Sequence, residues 1–429
     1  MQLPLYANED LPQTEDDWTF QGAATRELTH CYHDYPARMI PQVAGKLLER
    51  FAPDSSALVF DPYCGTGTSL VESSIRGYDA IGTDLNPLAR LIARAKTSLP
   101  DPEKLEEAFR AYYSLVRHWR EDAQIVPAQI AGISRLEFWF KPPVIAKLAA
   151  LRDFLGTVEN IAVRDFFAVA FSETVRESSN TRRSEFKLYR YSEKDLERHN
   201  PDVFALMTTK LRRNEKGLQQ MRAILCRQKR VPDIRICDFN TVARVPRESI
   251  APETVDIVLT SPPYGDSQTT VAYGQYSRLS AAWLGFAEPQ KTDSALMGGS
   301  KALKILTSLP SEALTAAITE ILCNDIERGR EVSAFYADLW ASISHIAPLI
   351  KPQGYACYVV GNRKVKGVVL PTDLAIRDFF VAHGYRYFQT FRRGIPNKRM
   401  PAKNSPTNAV GRSDSTMLHE YLVVMQCIK

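Results

Sequence analysis

The segment Thr260-Ser261-Pro262-Pro263-Tyr264-Gly265 concentrates the most distinctive chemistry in this 429-residue chain. Two consecutive prolines fix φ and remove two N–H donors, which stiffens the loop. A stiff loop can hold backbone carbonyls and a side-chain acceptor, here Ser261, towards an amine. The ring of Tyr264 can stack on a planar base extruded from its helix. Read alone, the same residues would also make a proline-rich turn with a core tyrosine.

A second group of residues lies in Asp61-Pro62-Tyr63-Cys64-Gly65-Thr66-Gly67-Thr68. Glycines let a backbone approach a ligand closely, and a helix that opens after them presents free N–H groups. Leu70 stands where a dinucleotide turn would carry its third glycine, and there is no G-x-x-x-x-G-K, so neither a dehydrogenase nor a phosphate-loop reading fits. Asp61 would repel a pyrophosphate but can pair with a ligand ammonium group. Asp84, ending the next apolar run, can accept from both hydroxyls of a ribose. Asp238 ends a third run and can accept from an adenine amine. Singly, a G-x-G is often a plain turn, and an Asp after a strand is often a helix cap. In this order, the three acids fit a ligand made of an amino acid, a ribose and an adenine, which describes S-adenosylmethionine. Tyr35, Tyr63, Cys64, Gly65, Thr66, Gly67, Thr68, Leu85, Asn86 and Phe239 are expected to complete that site.

Such residues need strand ends to stand on. Four short apolar runs, Ala57–Phe60, Ala80–Thr83, Ile234–Cys237 and Val255–Leu259, end at Asp61, Asp84, Asp238 and Thr260-Ser261. Runs of this kind, bounded by Gly, Pro or Asp, read as buried parallel strands. Ser69–Arg76 has helical spacing and is closed by Gly77, which makes a βαβ unit. Farther on, the spacing predicts a helix over Ala334–Ile350, a turn at 351–354 and a strand over Tyr355–Val360. A helix near Asp373–Ala382 and a strand over Glu420–Met425 follow. The sum is a doubly wound, mostly parallel Rossmann-like α/β sheet with a large, mainly helical insertion. The catalytic sheet is expected in two parts, 22–97 and 232–429, separated by an insertion at 98–231. A second insertion at about 265–331 carries a Gly-rich turn at Met297–Ser300.

With DPYCGTGT at 61–68 and SPPY at 261–264, the chain resembles the amino-methylating DNA methyltransferases, whose motifs look like DPFxGxGT and (D/N/S)PP(Y/F/W). The segment Tyr32–Pro41 is similar to that family's cofactor-flanking motif, and Val360–Arg363 to its pocket-lining strand and loop. The resemblance implies direct methyl transfer from S-adenosylmethionine to an exocyclic base amine in double-stranded DNA, with the target base flipped out. Ser261 and the Pro262 carbonyl would hold the amine hydrogens, and Pro263 and Tyr264 would complete the catalytic motif. The SPPY form resembles the N4-cytosine group, whereas DPPY is commoner among N6-adenine enzymes. The Pro-Cys dipeptide expected of cytosine-C5 enzymes is absent. The insertion falls between the second and third strands, so the motif order leaves the subgroup open.

RNA and tRNA amine methyltransferases share both motifs, but no recognisable RNA-binding module precedes the sheet. A catalytically silent nucleic-acid-binding protein would not need Asp61, Asp84 and SPPY together. Glu185-Phe186-Lys187 has the E-x-K shape of a nuclease, without a Pro-Asp partner before it.

A catalytic sheet cannot choose a DNA sequence by itself. Choice needs side chains at base edges, and affinity needs cations at phosphates. The insertion offers Arg176, Arg182, Arg183, Lys187 and Arg190 among Phe186, Tyr189 and Tyr191, then Lys210, Arg212 and Arg213, then Arg227, Lys229 and Arg230. A late loop offers Arg392, Arg393, Lys398, Arg399 and Lys403. The polar loop 266–270, with Ser267 and Thr269, follows the catalytic motif directly. Arg182, Arg183, Lys187, Arg190, Ser267, Thr269, Lys398 and Arg399 are the expected DNA contacts. Solvated helix faces are the plainer explanation for such charge runs. The net charge of +5 is only mildly basic. The seven cysteines form no CxxC pair, so neither a disulfide framework nor a metal site is expected. The acidic start of the chain resembles no signal peptide, and no run is long enough to span a membrane. A cytoplasmic monomer or homodimer is expected, with a cognate restriction endonuclease left open as a partner.

Overall fold

The protein is described by a computed structural model covering residues 17–54, 56–120, 129–182, 185–265, 271–299, 309–395, 403–404, 414–415 and 417–428. Seven strands form one sheet: β1 (Leu58–Asp61), β2 (Asp79–Thr83), β3 (Ile234–Cys237), β4 (Val255–Thr260), β5 (Ile350–Val360), β6 (Tyr385–Gly394) and β7 (His419–Cys427). Their order is β3-β2-β1-β4-β5-β7-β6. The five strands from β3 to β5 run parallel, and β7 lies antiparallel to both β5 and β6. All six residues of β4 are buried, as a central strand covered on both faces by helices requires.

Local sequence sets the helices that position the site. Helix α1 (Pro41–Phe51) packs on one face of the sheet. Helix α2 (Thr68–Arg76) starts directly after Gly67, at φ +77°, and ends at Gly77, at φ +85°. Both values lie in the left-handed region that glycine enters at little cost. Helix α3 (Pro87–Thr97) opens on a proline in its first turn, and the Asn86 side chain caps it by accepting from the Leu88 N–H at 3.1 Å.

The chain leaves the sheet after α3 and returns at β3. The intervening stretch does not form a core of its own. Helices α4 (Pro102–Arg117), α5 (Pro142–Thr157), α6 (Ile161–Ser178) and α7 (Val203–Leu225) share one apolar cluster with Leu88, Leu91, Ile92 and Ala95 of α3. Tyr32, Tyr35 and helix α8 (Tyr273–Trp283) from the second insertion join the same cluster. A second cluster on the other side of the sheet gathers α9 (Glu312–Asn324), α10 (Ile326–Ile346) and α11 (Thr372–Ala382) against β4, β5 and β7.

Three elements depart from the sequence reading. The expected turn at 351–354 lies within β5, which starts at Ile350 and shifts register against β4 there. Helix α10 begins at Ile326 rather than Ala334, because Asp325 caps it by accepting from the Arg328 N–H at 3.0 Å. Its first turns carry i,i+3 ion pairs instead of an apolar stripe. Arg392 and Arg393, read as part of a late loop, lie on β6. An edge strand is paired on one side only, so β6 tolerates a polar composition that does not look like a buried strand.

A close backbone approach sits where the cofactor turn meets α3. A Cβ added to Gly67 would stand 3.0 Å from the Ala93 Cβ and 3.2 Å from its Cα, at a positive φ. Gly67→Ala therefore costs about 1–3 kcal/mol in backbone strain. Chemical denaturation followed by circular dichroism should show a lowered midpoint, and an unchanged midpoint would show that the turn relaxes freely.

Candidate active site

Three parallel strand ends, those of β1, β2 and β4, converge on one cleft. Its volume is about 760 Å³ including the open mouth, and its walls include Tyr35, Asp61, Tyr63, Cys64, Gly65, Thr66, Thr68, Asp84, Asn86, Ser261 and Pro263. The cleft thus brings together two regions almost two hundred residues apart in the chain, the glycine-containing turn after β1 and the double-proline loop after β4.

Asp61 ties these regions together. It ends β1 and is 3% exposed. Its Oδ1 accepts from the Thr260 hydroxyl at 2.5 Å and from the Tyr63 N–H at 3.1 Å, and its Oδ2 accepts from the Ser69 hydroxyl. One carboxylate therefore joins β1, the end of β4 and the first turn of α2. With two lone pairs per oxygen, Oδ2 keeps one acceptor site. Burial pushes the Asp61 carboxyl up to about 6, against the lowering effect of its three donors.

Asp84 is tied more lightly. Its Oδ2 accepts from the Gly65 N–H at 3.0 Å and its Oδ1 from the Asn86 N–H at 2.8 Å, which leaves one lone pair on each oxygen. That is an acceptor arrangement that two adjacent ribose hydroxyls would satisfy by donating. Gly65 reaches Asp84 from a left-handed conformation at φ +49°. Burial raises the Asp84 carboxyl above the usual range.

Asn86 organises the opposite wall. Its Nδ2 donates to the Tyr35 hydroxyl at 2.8 Å and to Ser277 Oγ at 2.7 Å. Tyr35 stacks on Tyr273 at a centroid distance of 5.9 Å and an interplanar angle of 21°. Tyr273, Met297, Leu296 and Arg38 also line the cleft and were not singled out from sequence. The turn at Met297–Ser300 was visible as glycine-rich, but nothing in the sequence said where it packs. Arg38 lies in the Tyr32–Pro41 segment and donates to the His30 carbonyl at 3.0 Å.

Six expected site residues do not line the cleft: Gly67, Leu85, Asp238, Phe239, Pro262 and Tyr264. Asp238 is linked to Asp84 through a shared partner, Arg90. Its side chain is 68% exposed and pairs with Arg90 at 2.7 Å, while the same guanidinium donates to the Asp84 carbonyl at 2.6 Å. Arg90 stands one turn into α3 and bridges Asp238 to the Asp84 carbonyl. Phe239 packs near Phe60, with both its backbone polar groups bonded to the Thr83 hydroxyl. Tyr264 lies just behind Ser261, within 3.4 Å of its hydroxyl.

The expected DNA contacts divide. Arg183, Ser267, Thr269, Lys398 and Arg399 lie outside the described residues. Arg182 is exposed and Lys187 half-buried, on a segment closed by the Thr181–Arg190 bridge, with Phe186 41% and Tyr189 48% exposed. Arg190 is instead committed internally, bonded to Glu193 at 2.5 Å and to the Phe138 carbonyl at 3.1 Å. Several further cations of the charge runs are likewise used inside the fold. Arg176 is buried and bonded to the carbonyls of Tyr276 and Glu185, Lys210 pairs with Glu177 at 2.5 Å, and Arg213 pairs with Glu173 at 2.7 Å. Arg230 pairs with Asp79 at 2.7 Å and Arg393 with Glu420 at 2.7 Å. Acids pair with all of these except Arg176, which is held by carbonyls, and a linear charge run cannot reveal such partners. Among the described residues, no helix is long and apolar enough to cross a membrane.

The sheet order and the acid-lined cleft at its strand ends define a Rossmann-like methyltransferase whose methyl donor is S-adenosylmethionine. No known family profile matches the chain. It is, however, 38% identical over 423 residues to the type II methyltransferase M.MvaI of Kocuria varians, an alignment that covers 95% of this chain and 93% of that protein. It is also 33% identical over 96 residues to the type II methyltransferase M.MjaII of Methanocaldococcus jannaschii, covering 21% of this chain and 18% of that one. The rRNA methyltransferase aviRa of Streptomyces viridochromogenes superposes over 92% of this chain and 88% of its own, with a TM-score of 0.32 and 10% identity. The chain belongs to the type II methyltransferases, the DNA-modifying enzymes of restriction–modification systems.

The raised Asp61 carboxyl makes stability depend on pH. Its folded value of about 6 exceeds its ordinary 3.8, so between these values the folded state binds more protons than the unfolded one. Stability then falls as pH rises through that window, by on the order of 3 kcal/mol for a shift of this size. Asp61→Asn should remove this component. Urea unfolding at intervals from pH 4 to 7 should show a flatter profile in the variant, and superimposable profiles would contradict the assignment.

Proposed function

We propose that the protein transfers a methyl group to the N4 amine of cytosine in double-stranded DNA, acting on a base extruded from the duplex. The observation that carries this reading is the position of Ser261 and Pro263 on the same cleft wall system as Asp61, Asp84 and Asn86. A neutral serine hydroxyl followed by two prolines presents an acceptor and a rigid carbonyl to an amine without adding a charge. Bound S-adenosylmethionine supplies an electrophilic methyl group on a sulfonium. Asp84 would accept from the ribose hydroxyls, the Oδ2 of Asp61 from the ammonium group, and Arg38 would face the carboxylate. Ser261 and the Pro262 carbonyl would orient the amine so that its nitrogen lone pair points at the methyl group. Fixing two reactants in this way supplies much of the rate by proximity. The buried Cys64 takes no part.

Target choice falls to the insertion. Arg182 and Lys187, set among the exposed rings of Phe186 and Tyr189, form a face suited to DNA, with the cations on phosphates and the rings at bases or sugars. As part of a modification system the protein would work in the cytoplasm, alongside an endonuclease of the same specificity.

Two measurements test the reading. Mass spectrometry of nucleosides from DNA methylated by the protein should find N4-methylcytosine. N6-methyladenine alone would move the enzyme to the adenine group, and methylation of RNA alone would overturn the DNA assignment. Replacing Arg182 and Lys187 together by Gln should lower the slope of log affinity against log salt by roughly two units if both meet phosphates. An unchanged slope would remove this segment from the DNA-binding face.

A further inference from the structure

Behind Ser261 runs a line of hydrogen bonds that the site as described does not use. The Tyr264 hydroxyl donates to Glu420 Oε1 at 2.9 Å, and Glu420 Oε2 accepts from Arg393 Nη1 at 2.7 Å. The Ser261 hydroxyl lies 3.4 Å from the Tyr264 oxygen. Glu420 and Arg393 are direct partners across β7 and β6. Their side chains are 17% and 6% exposed, so the pair is shielded and fixed.

The direction of these bonds is determined. An ionised carboxylate only accepts, and a phenol has a single proton. Since Tyr264 gives its proton to Glu420, its oxygen can only accept from Ser261. The Ser261 proton then points away from the cleft, and its lone pairs are left to accept from a substrate amine. Burial pushes the Tyr264 phenol well above its ordinary range, which keeps it protonated and donating.

We propose that Glu420, held by Arg393, is a positioning residue and terminal proton acceptor for methyl transfer, acting on the substrate through Tyr264 and Ser261. This rests on the reading that the substrate is an exocyclic amine. The amine nitrogen forms its bond to the methyl carbon as the carbon–sulfur bond breaks, and the electron pair of that bond stays on sulfur. The nitrogen must then lose one proton. That proton passes to the Ser261 oxygen, the Ser261 proton to the Tyr264 oxygen, and the Tyr264 proton to Glu420 Oε1. The sulfonium charge and the carboxylate charge disappear together, so the balance closes without an added co-reactant. The 3.4 Å leg is longer than a formed O–H···O bond and must shorten by about half an ångström when the base enters, as catalytic contacts commonly do.

Among the described residues, the groups that face Glu420 come from two elements. Arg393 approaches from β6 and Tyr264 from the catalytic loop, and Tyr273 of α8 lies close enough to Tyr264 to influence it electrostatically. His419 and Tyr421 flank Glu420 on its own strand and point to the opposite face.

The test uses the full-length protein, its DNA and S-adenosylmethionine. Tyr264→Phe keeps the ring and removes the relay hydroxyl. Glu420→Gln keeps an acceptor beside the tyrosine but cannot take up the proton. Each should leave the dissociation constants for DNA and cofactor within about twofold and lower single-turnover methylation by on the order of 100-fold, as expected when general-base assistance is lost. The double variant should be no slower than the slower single one, since both act on one path. Wild-type rates in either variant, losses confined to KM, or losses that multiply in the double variant would overturn the proposal. If Glu420→Gln does not fold, Tyr264→Phe decides alone, because it deletes only one oxygen. Product analysis of the wild type keeps the two readings apart. Absence of any methylated amine refutes the proposed function, whereas a methylated amine with an unaffected Tyr264→Phe variant refutes only the relay.

Discussion

The Asp61 carboxylate is the point on which the site's geometry turns. A charged group at the end of a central strand, 3% exposed, is tolerable only if its oxygens are bonded. Its donors come from three places: the backbone after β1, the start of α2 and the last residue of β4. The need to satisfy one buried acid therefore fixes the distance between the cofactor turn and the catalytic loop. The loop's two prolines then carry that fixed position forward to Ser261, because they leave its backbone little freedom. The transfer geometry follows from a constraint that involves neither substrate.

The strand ends were legible because parallel strands buried on both faces must be apolar throughout, and the residues that interrupt them stand out. Asp61, Asp84 and Thr260-Ser261 were found in this way, as were both glycines of the turn. Asp238 satisfied the same pattern and still lies apart from the cleft. Its position depends on Arg90, and a pairing between a helix and a distant strand end leaves no mark in either segment. The same blindness affected the charge runs. Arg176, Arg190, Lys210 and Arg213 read as a basic face, yet each is committed to a carboxylate or carbonyl within the fold. Edge strand β6 escaped notice for a related reason, since a strand with one unpaired side need not be apolar. Glu420 was visible only as part of a strand.

The wall opposite the carboxylates was the least legible part. It is built from Tyr35, Asn86, Tyr273 and Ser277, drawn from three separate stretches of the chain. Asn86 does two jobs there. Its carbonyl oxygen caps α3, and its amide nitrogen holds the tyrosine and serine. Sequence reasoning recognises a cap from the residues beside it. It has no means of recognising that the other end of the same side chain joins a flanking segment to a helix of the second insertion.

The single apolar cluster shared by α3 and the helices of the insertion bears on how such an enzyme could change its target. In a modular arrangement, a recognition unit could be exchanged between relatives like a cartridge, with the catalytic half indifferent to the swap. Here Leu88, Leu91, Ile92 and Ala95 meet the insertion on one face of α3, while Asn86 at the head of that helix shapes the cleft. A transplanted insertion would arrive with its own inward-facing side chains and would reset the seat of the helix. On the proposed reading that the insertion chooses the target, retargeting by grafting would have to carry α3 along with the graft.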